Sequence, residues 1–69
     1  MTQPVGRTIL RLFRDGPIAI TRRYADGSNL RRKGLVRSER LLGDYWRWRH
    51  ELTPAGRAER ERVMEAARG

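Results

Sequence analysis

The 69-residue chain contains no cysteine, so neither a disulfide nor a thiolate metal site can brace so short a fold. Its one histidine, His50, has no carboxylate pair beside it at ligand spacing, and a structural role is expected for it. Serine occurs only at Ser28 and Ser38, neither in the setting of a nucleophile, and Asp26-Gly27-Ser28 is a turn rather than a phosphate-cradling loop. No enzymatic activity, no cofactor, no metal and no small-molecule substrate are therefore expected. Long apolar runs are absent as well: Ile18-Ala19-Ile20 is typical of the longest, and the N-terminus lacks the apolar segment of a signal peptide. The expectation is a cytoplasmic protein with no membrane partner. Two Trp, two Tyr and one Phe are the whole aromatic complement, so residues 1–69 read as one domain with a largely aliphatic core. A first-pass balance for such a chain leaves about 3–5 kcal/mol of net stability, which a bound partner or a second copy would raise.

What is abundant is positive charge. Sixteen basic residues face eight acidic ones, and all the basic residues but Lys33 are arginine. A GC-rich genome would explain arginine in place of lysine, but not the surplus itself. The surplus is also segregated. Residues 1–49 hold 12 basic and 4 acidic groups, whereas residues 50–69 hold four of each. Solubility alone needs no such division, whereas a face for a polyanion does.

The periodicity divides the chain into short elements. Val5, Ile9, Leu12 and Phe13 fall at helical spacing over Val5 to Arg14, with Pro4 suited to the first helical position. Asp15-Gly16-Pro17 ends that helix. Ile18-Ala19-Ile20, β-branched at both ends, predicts a brief strand. Thr21 is expected to cap a helical turn through Tyr24 and Ala25, and Ser28 to cap a second helix over Asn29 to Lys33, closed by Gly34. From Leu35 the period becomes two. Leu35 to Leu41 and Tyr45 to Leu52 predict a hairpin turning at Leu42-Gly43-Asp44. Trp46, Trp48 and Leu52 share one face, and Tyr45, Arg47, Arg49 and Glu51 share the other. The two tryptophans are accordingly expected as core anchors beneath the first and last helices, the other reading being that one of them is exposed to stack on a base or a partner. Thr53 caps a final helix with Pro54 in its first turn. Leu52, Ala55, Ala58 or Glu59, Val63, and Ala66 or Ala67 form a narrow small-residue stripe, and this charge-balanced last helix is expected to carry a homodimer contact.

The order helix, short strand, helical turns, hairpin, helix predicts a small α+β domain that resembles a winged helix. Leu30-Arg31-Arg32-Lys33-Gly34-Leu35-Val36 is similar to the end of a recognition helix running into the wing. Trp48-Arg49-His50-Glu51-Leu52-Thr53-Pro54-Ala55-Gly56-Arg57-Ala58 resembles the LTPAGRA segment that follows the wing in MarR-like and PadR-like transcription regulators. The match covers roughly residues 30–58. One departure stands out: only 17 residues separate Gly16 from Gly34, so the helix before the recognition helix must be truncated or missing.

The resemblance implies a nucleic-acid partner, duplex DNA first, and a bacterial or phage regulator. Ser28, Asn29, Arg31 and Arg32 would then lie nearest the bases. Arg37, Arg40, Arg47 and Arg49 on the wing would meet phosphates, with Arg22, Arg23 and Lys33 adding to the basic face. Tyr45 projects with the arginines and is the stacking candidate. Two further readings remain. The shortened helical region suits a protein-interaction module, such as a phage-encoded inhibitor of a host nucleic-acid-handling protein. The Arg/Tyr hairpin face suits RNA or single strands.

Overall fold

A computed structural model describes residues 4–43 and 46–68. It is an α+β domain with three α-helices, one 3₁₀ turn and a three-stranded antiparallel sheet among the described residues. The elements run α1 (Pro4–Leu12), β1 (Ile18–Thr21), a 3₁₀ turn (Tyr24–Gly27), α2 (Ser28–Arg32), β2 (Val36–Arg40), β3 (Trp48–Leu52) and α3 (Pro54–Arg68). The sheet order β1-β3-β2 places the last strand in the centre, and with the hairpin β2–β3 this is a winged-helix-like topology.

Alternation along each strand sets the two faces of the sheet. Ala19, Val36, His50 and Leu52 point inward and are buried, while Ile18, Ile20, Arg37 and Glu39 point outward. Ile9 from α1, Phe13 just after it and Leu30 from α2 close over the inner face, each with no exposed surface. Val5, Leu12 and Leu35 pack around them. Among the described residues six buried apolar side chains make a small core, as the composition required.

The entry to α3 follows the sequence chemistry closely. The Thr53 hydroxyl accepts from the Gly56 N–H at 3.1 Å and donates to the Gly34 carbonyl at 2.7 Å, capping the helix and fastening it to the turn before β2. Gly34, at φ +72°, takes the left-handed turn that any other residue would resist. Further along α3, Arg60 donates to the Phe13 carbonyl at 2.8 Å and ties the helix to the end of α1.

Several local expectations are corrected. Trp46 is 73% exposed, and Trp48 is only half-buried and rests on Tyr24. Neither is a core anchor. The ladder closes at Leu41 N–H to the Arg47 carbonyl, which leaves Trp46 in the loop, and Trp48 lies at the sheet end occupied by the 3₁₀ turn. Thr21 caps nothing, being the last residue of β1, and Ser28 is the first residue of α2 rather than its cap. The turn and α2 run into one another, because Ser28 is already helical at φ −56° and ψ −51°. On α3 the inward face is Gly56 with Glu59, Arg60, Val63 and Met64, whereas Ala55, Ala58, Ala66 and Ala67 are exposed. Gly56 sets this rotation. A Cβ there would stand 1.9 Å from the Leu35 carbonyl oxygen, so only glycine lets the helix lie so close.

Candidate nucleic-acid interface

The basic residues divide by what holds them. Arg22 and Arg23 are exposed in the link between β1 and the 3₁₀ turn. Asn29, Arg32 and Lys33 are exposed on and just after α2, opposite the buried Leu30, while Ser28 is half-buried. Arg37 is exposed on the outer face of β2. Among the described residues no carboxylate forms an ion pair with Arg22, Arg23, Arg32, Lys33 or Arg37. Arg40 ends β2 and Arg47 precedes β3, so both lie at the loop end of the hairpin. The register pairs Thr21 with Trp48 and Trp48 with Arg40, which brings Arg22 and Arg23 to that same end of the sheet.

Two residues expected at the interface are engaged internally. Arg49 donates to Glu39 at 3.2 Å and to Glu51 at 3.0 Å, so the outer face of the hairpin is partly neutralised rather than uniformly cationic. Arg31 does not project from α2. Its guanidinium lies 3.5 Å from the centroid of the Tyr24 ring, and Tyr24 in turn meets Trp48 at 4.6 Å between centroids and 53° between planes. Tyr45 lies outside the described residues.

The same guanidinium begins a hydrogen-bond chain through the sheet. Arg31 Nη1 donates to Ser38 Oγ at 2.8 Å, and Ser38 Oγ stands 2.6 Å from His50 Nδ1. His50 Nε2 stands 2.8 Å from Thr21 Oγ1, whose hydroxyl donates to the Arg23 carbonyl at 3.0 Å. These directions fix the tautomer. Thr21 gives its only proton to the carbonyl, so it accepts from Nε2–H, and Nδ1 accepts the Ser38 proton. His50, wholly buried, is thus satisfied as a neutral ring. Burial, and then the nearby Arg31 charge, hold its pKa below the ordinary 6.5, while Asp26 and the Arg23 carbonyl pull the other way. Gly27 closes the cluster: a Cβ there would come within 2.9 Å of both Arg31 Nη1 and His50 Nδ1.

The Ser38–His50 contact has the length of a nucleophile–base pair. Its surroundings are those of a structural chain instead. The imidazole is enclosed, its second nitrogen faces a hydroxyl rather than an orienting carboxylate, and Arg31 occupies the serine oxygen. No group of three or more His, Asp or Glu able to hold a metal occurs among the described residues, and no helix there is long and apolar enough to cross a membrane.

The sequence reading missed the roles of Thr21, Tyr24 and Ser38. Their only advance signal was the two-residue period, which puts Ser38 and His50 on inward positions of their strands. Comparison with protein-family models, curated proteins and solved structures returns no match.

Proposed function

We propose that this chain is a small winged-helix-like protein that binds duplex DNA, in the cytoplasm, in the manner of a minimal transcription regulator. One observation carries the reading: Arg22, Arg23, Arg32, Lys33 and Arg37 are exposed with no carboxylate paired to them among the described residues, while Arg49 on the sheet and Arg62 and Arg68 on α3 each hold one. Exposed guanidinium and ammonium groups held on a short helix and its flanking strands suit a phosphate backbone. The resemblance of residues 30–58 to MarR-like and PadR-like regulators points the same way.

The short α2 qualifies this reading. Five residues extend only about 7.5 Å, and they offer Asn29 and Arg32 outward with Lys33 following. Binding should therefore be dominated by phosphates and weakly sequence-specific. Titration of a labelled duplex at a series of salt concentrations is the test. With Arg22, Arg23, Arg32, Lys33 and Arg37 engaged, log K should fall against log salt with a slope of about −4 to −5. No binding at low salt ends the proposal.

A protein-interaction module is the second reading, favoured by Leu42 at 99% and Trp46 at 73% exposure on the hairpin loop. Nuclease-treated host lysate distinguishes the two. A protein retained by the parent chain and lost with Leu42→Ser supports this alternative.

A further inference from the structure

β1 lies at the edge of the sheet, and its register fixes which backbone groups face outward. The Leu52 N–H donates to the Pro17 carbonyl at 2.9 Å, so Pro17, Ala19 and Thr21 direct their polar groups toward β3. Ile18 and Ile20 alternate with them and direct N–H and C=O away from the sheet. Among the described residues neither has a hydrogen-bond partner on that side. Their side chains are 42% and 56% exposed on the outer face. Natural sheets usually blunt such an edge with charge or proline. Here Pro17 does not, because its backbone faces β3 rather than the free side.

Beside this edge runs an open groove of about 520 Å³, bordered by Arg11, Leu12 and Asp15 from the end of α1 and by Asp26 from the 3₁₀ turn. Two carboxylates and one guanidinium make this border unlike the rest of a chain with sixteen basic and eight acidic residues. A second copy of a strongly basic molecule meets little repulsion here, and each copy supplies both signs for cross-pairing.

We propose that the β1 edge is a homodimer interface, in which two β1 strands pair antiparallel about a two-fold axis at Ala19. That axis sets Ile18 opposite Ile20 of the partner subunit. It matches outward-facing backbone groups with their counterparts, closes four hydrogen bonds, and gathers four isoleucines on the outer face of one six-stranded sheet. Moving the axis by half a residue would set an outward-facing residue against an inward-facing one and leave no ladder. A four-residue strand pair is much smaller than the about 800 Å² per partner of a standard interface, so the dimer is weak and concentration-dependent. This contact on β1 is separate from the one expected of the last helix, and it does not depend on DNA binding.

Since the chain has no cysteine, register-specific cross-linking tests the proposal. A mixture of Ile18→Cys and Ile20→Cys chains should form a disulfide-linked dimer on mild oxidation. Directly opposed residues stand about 5.5 Å apart at Cα, within disulfide reach. Each variant alone should cross-link only at background, because same-site residues are diagonal neighbours at about 7–8 Å, the outer limit or beyond. Sedimentation equilibrium of the parent chain should show dimer growing with concentration, and Ile20→Lys should shift it to monomer with its circular dichroism unchanged. If Ile20→Lys fails to fold, the cross-linking pattern alone decides. The proposal is overturned by equal cross-linking in the single variants and the mixture, by a parent chain that stays monomeric without cross-linking, or by a dimer that survives Ile20→Lys and is broken by Ala58→Glu on α3.

Discussion

In α3, Arg62 is bound to Glu59 and Arg68 to Glu65, and Arg60 reaches the Phe13 carbonyl. Between β1 and the middle of β2, by contrast, Arg22, Arg23, Arg32, Lys33 and Arg37 stand without an acidic partner among the described residues. Both regions are rich in arginine, so composition alone does not tell them apart. The difference is the spacing of the carboxylates. In α3 Glu59 and Glu65 precede their arginines by one helical turn, and Arg62 holds the Glu59 carboxyl below its usual range. From Arg22 to Arg37 the sole acidic residue is Asp26, directed toward the β1 groove and His50. The first arrangement pairs Arg62 and Arg68 internally, and the second leaves its cations for a partner.

The largest test of this contrast removes the free cations. The combined replacement Arg22→Ala, Arg23→Ala, Arg32→Ala and Lys33→Ala should weaken duplex binding at low salt by at least about tenfold. It should also reduce the salt slope by about 0.9 for each phosphate that is no longer neutralised. Replacing Arg62 and Arg68 together should change affinity by less than about threefold. Equal weakening by the two sets, measured by fluorescence anisotropy, would erase the distinction.

A second test asks what holds the free region in place. The chain from Arg31 through Ser38, His50 and Thr21 to the Arg23 carbonyl joins α2, all three strands and the link carrying Arg22 and Arg23. A histidine whose pKa is held below 6.5 binds fewer protons folded than unfolded. The contribution of His50 to stability should therefore not vary with pH above that value, while stability should fall as pH drops below it and level off once the folded form also titrates. Replacing the ring by His50→Gln should cost about 1–3 kcal/mol at neutral pH and flatten that part of the profile. Chemical denaturation across the acid range reads both. An unchanged slope in His50→Gln would show that another group sets it.

Much of the frame was legible because it depends on local chemistry. Thr53-Pro54 announced the start of α3, Gly34 the exit from α2, and the two-residue period the hairpin. The shortened helical region followed from counting residues between Gly16 and Gly34. The interior was less legible, because its decisive contacts join distant residues. His50 meets Ser38 and Thr21 only once the order β1-β3-β2 is set, and no pattern within one strand reports that order. The tryptophans misled for the same reason. Their alternation predicts one shared face of an extended strand, but the strand begins at Trp48, and Trp46 lies exposed in the loop before it. Arg31 misled differently. A helix position predicts direction at Cα, whereas a long side chain follows the aromatic face and hydroxyl within its reach.

The smallest effect belongs to Arg49, which sequence alone would group with the free cations. Its guanidinium is shared by Glu39 and Glu51 on the outer face, and all three side chains are accessible to water. An exposed network of this kind contributes about 0.2–1 kcal/mol, less at high salt. Arg49→Ala should therefore lower stability by no more than that. It should leave duplex affinity almost unchanged, because removing Arg49 also frees two carboxylates that repel phosphate only weakly through solvent. Glu39→Gln separates the alternatives. It loosens one of the two partners, so a gain in duplex affinity with this variant would mean that Arg49 is held in reserve and belongs with the free set. No gain would keep it with the paired arginines of α3.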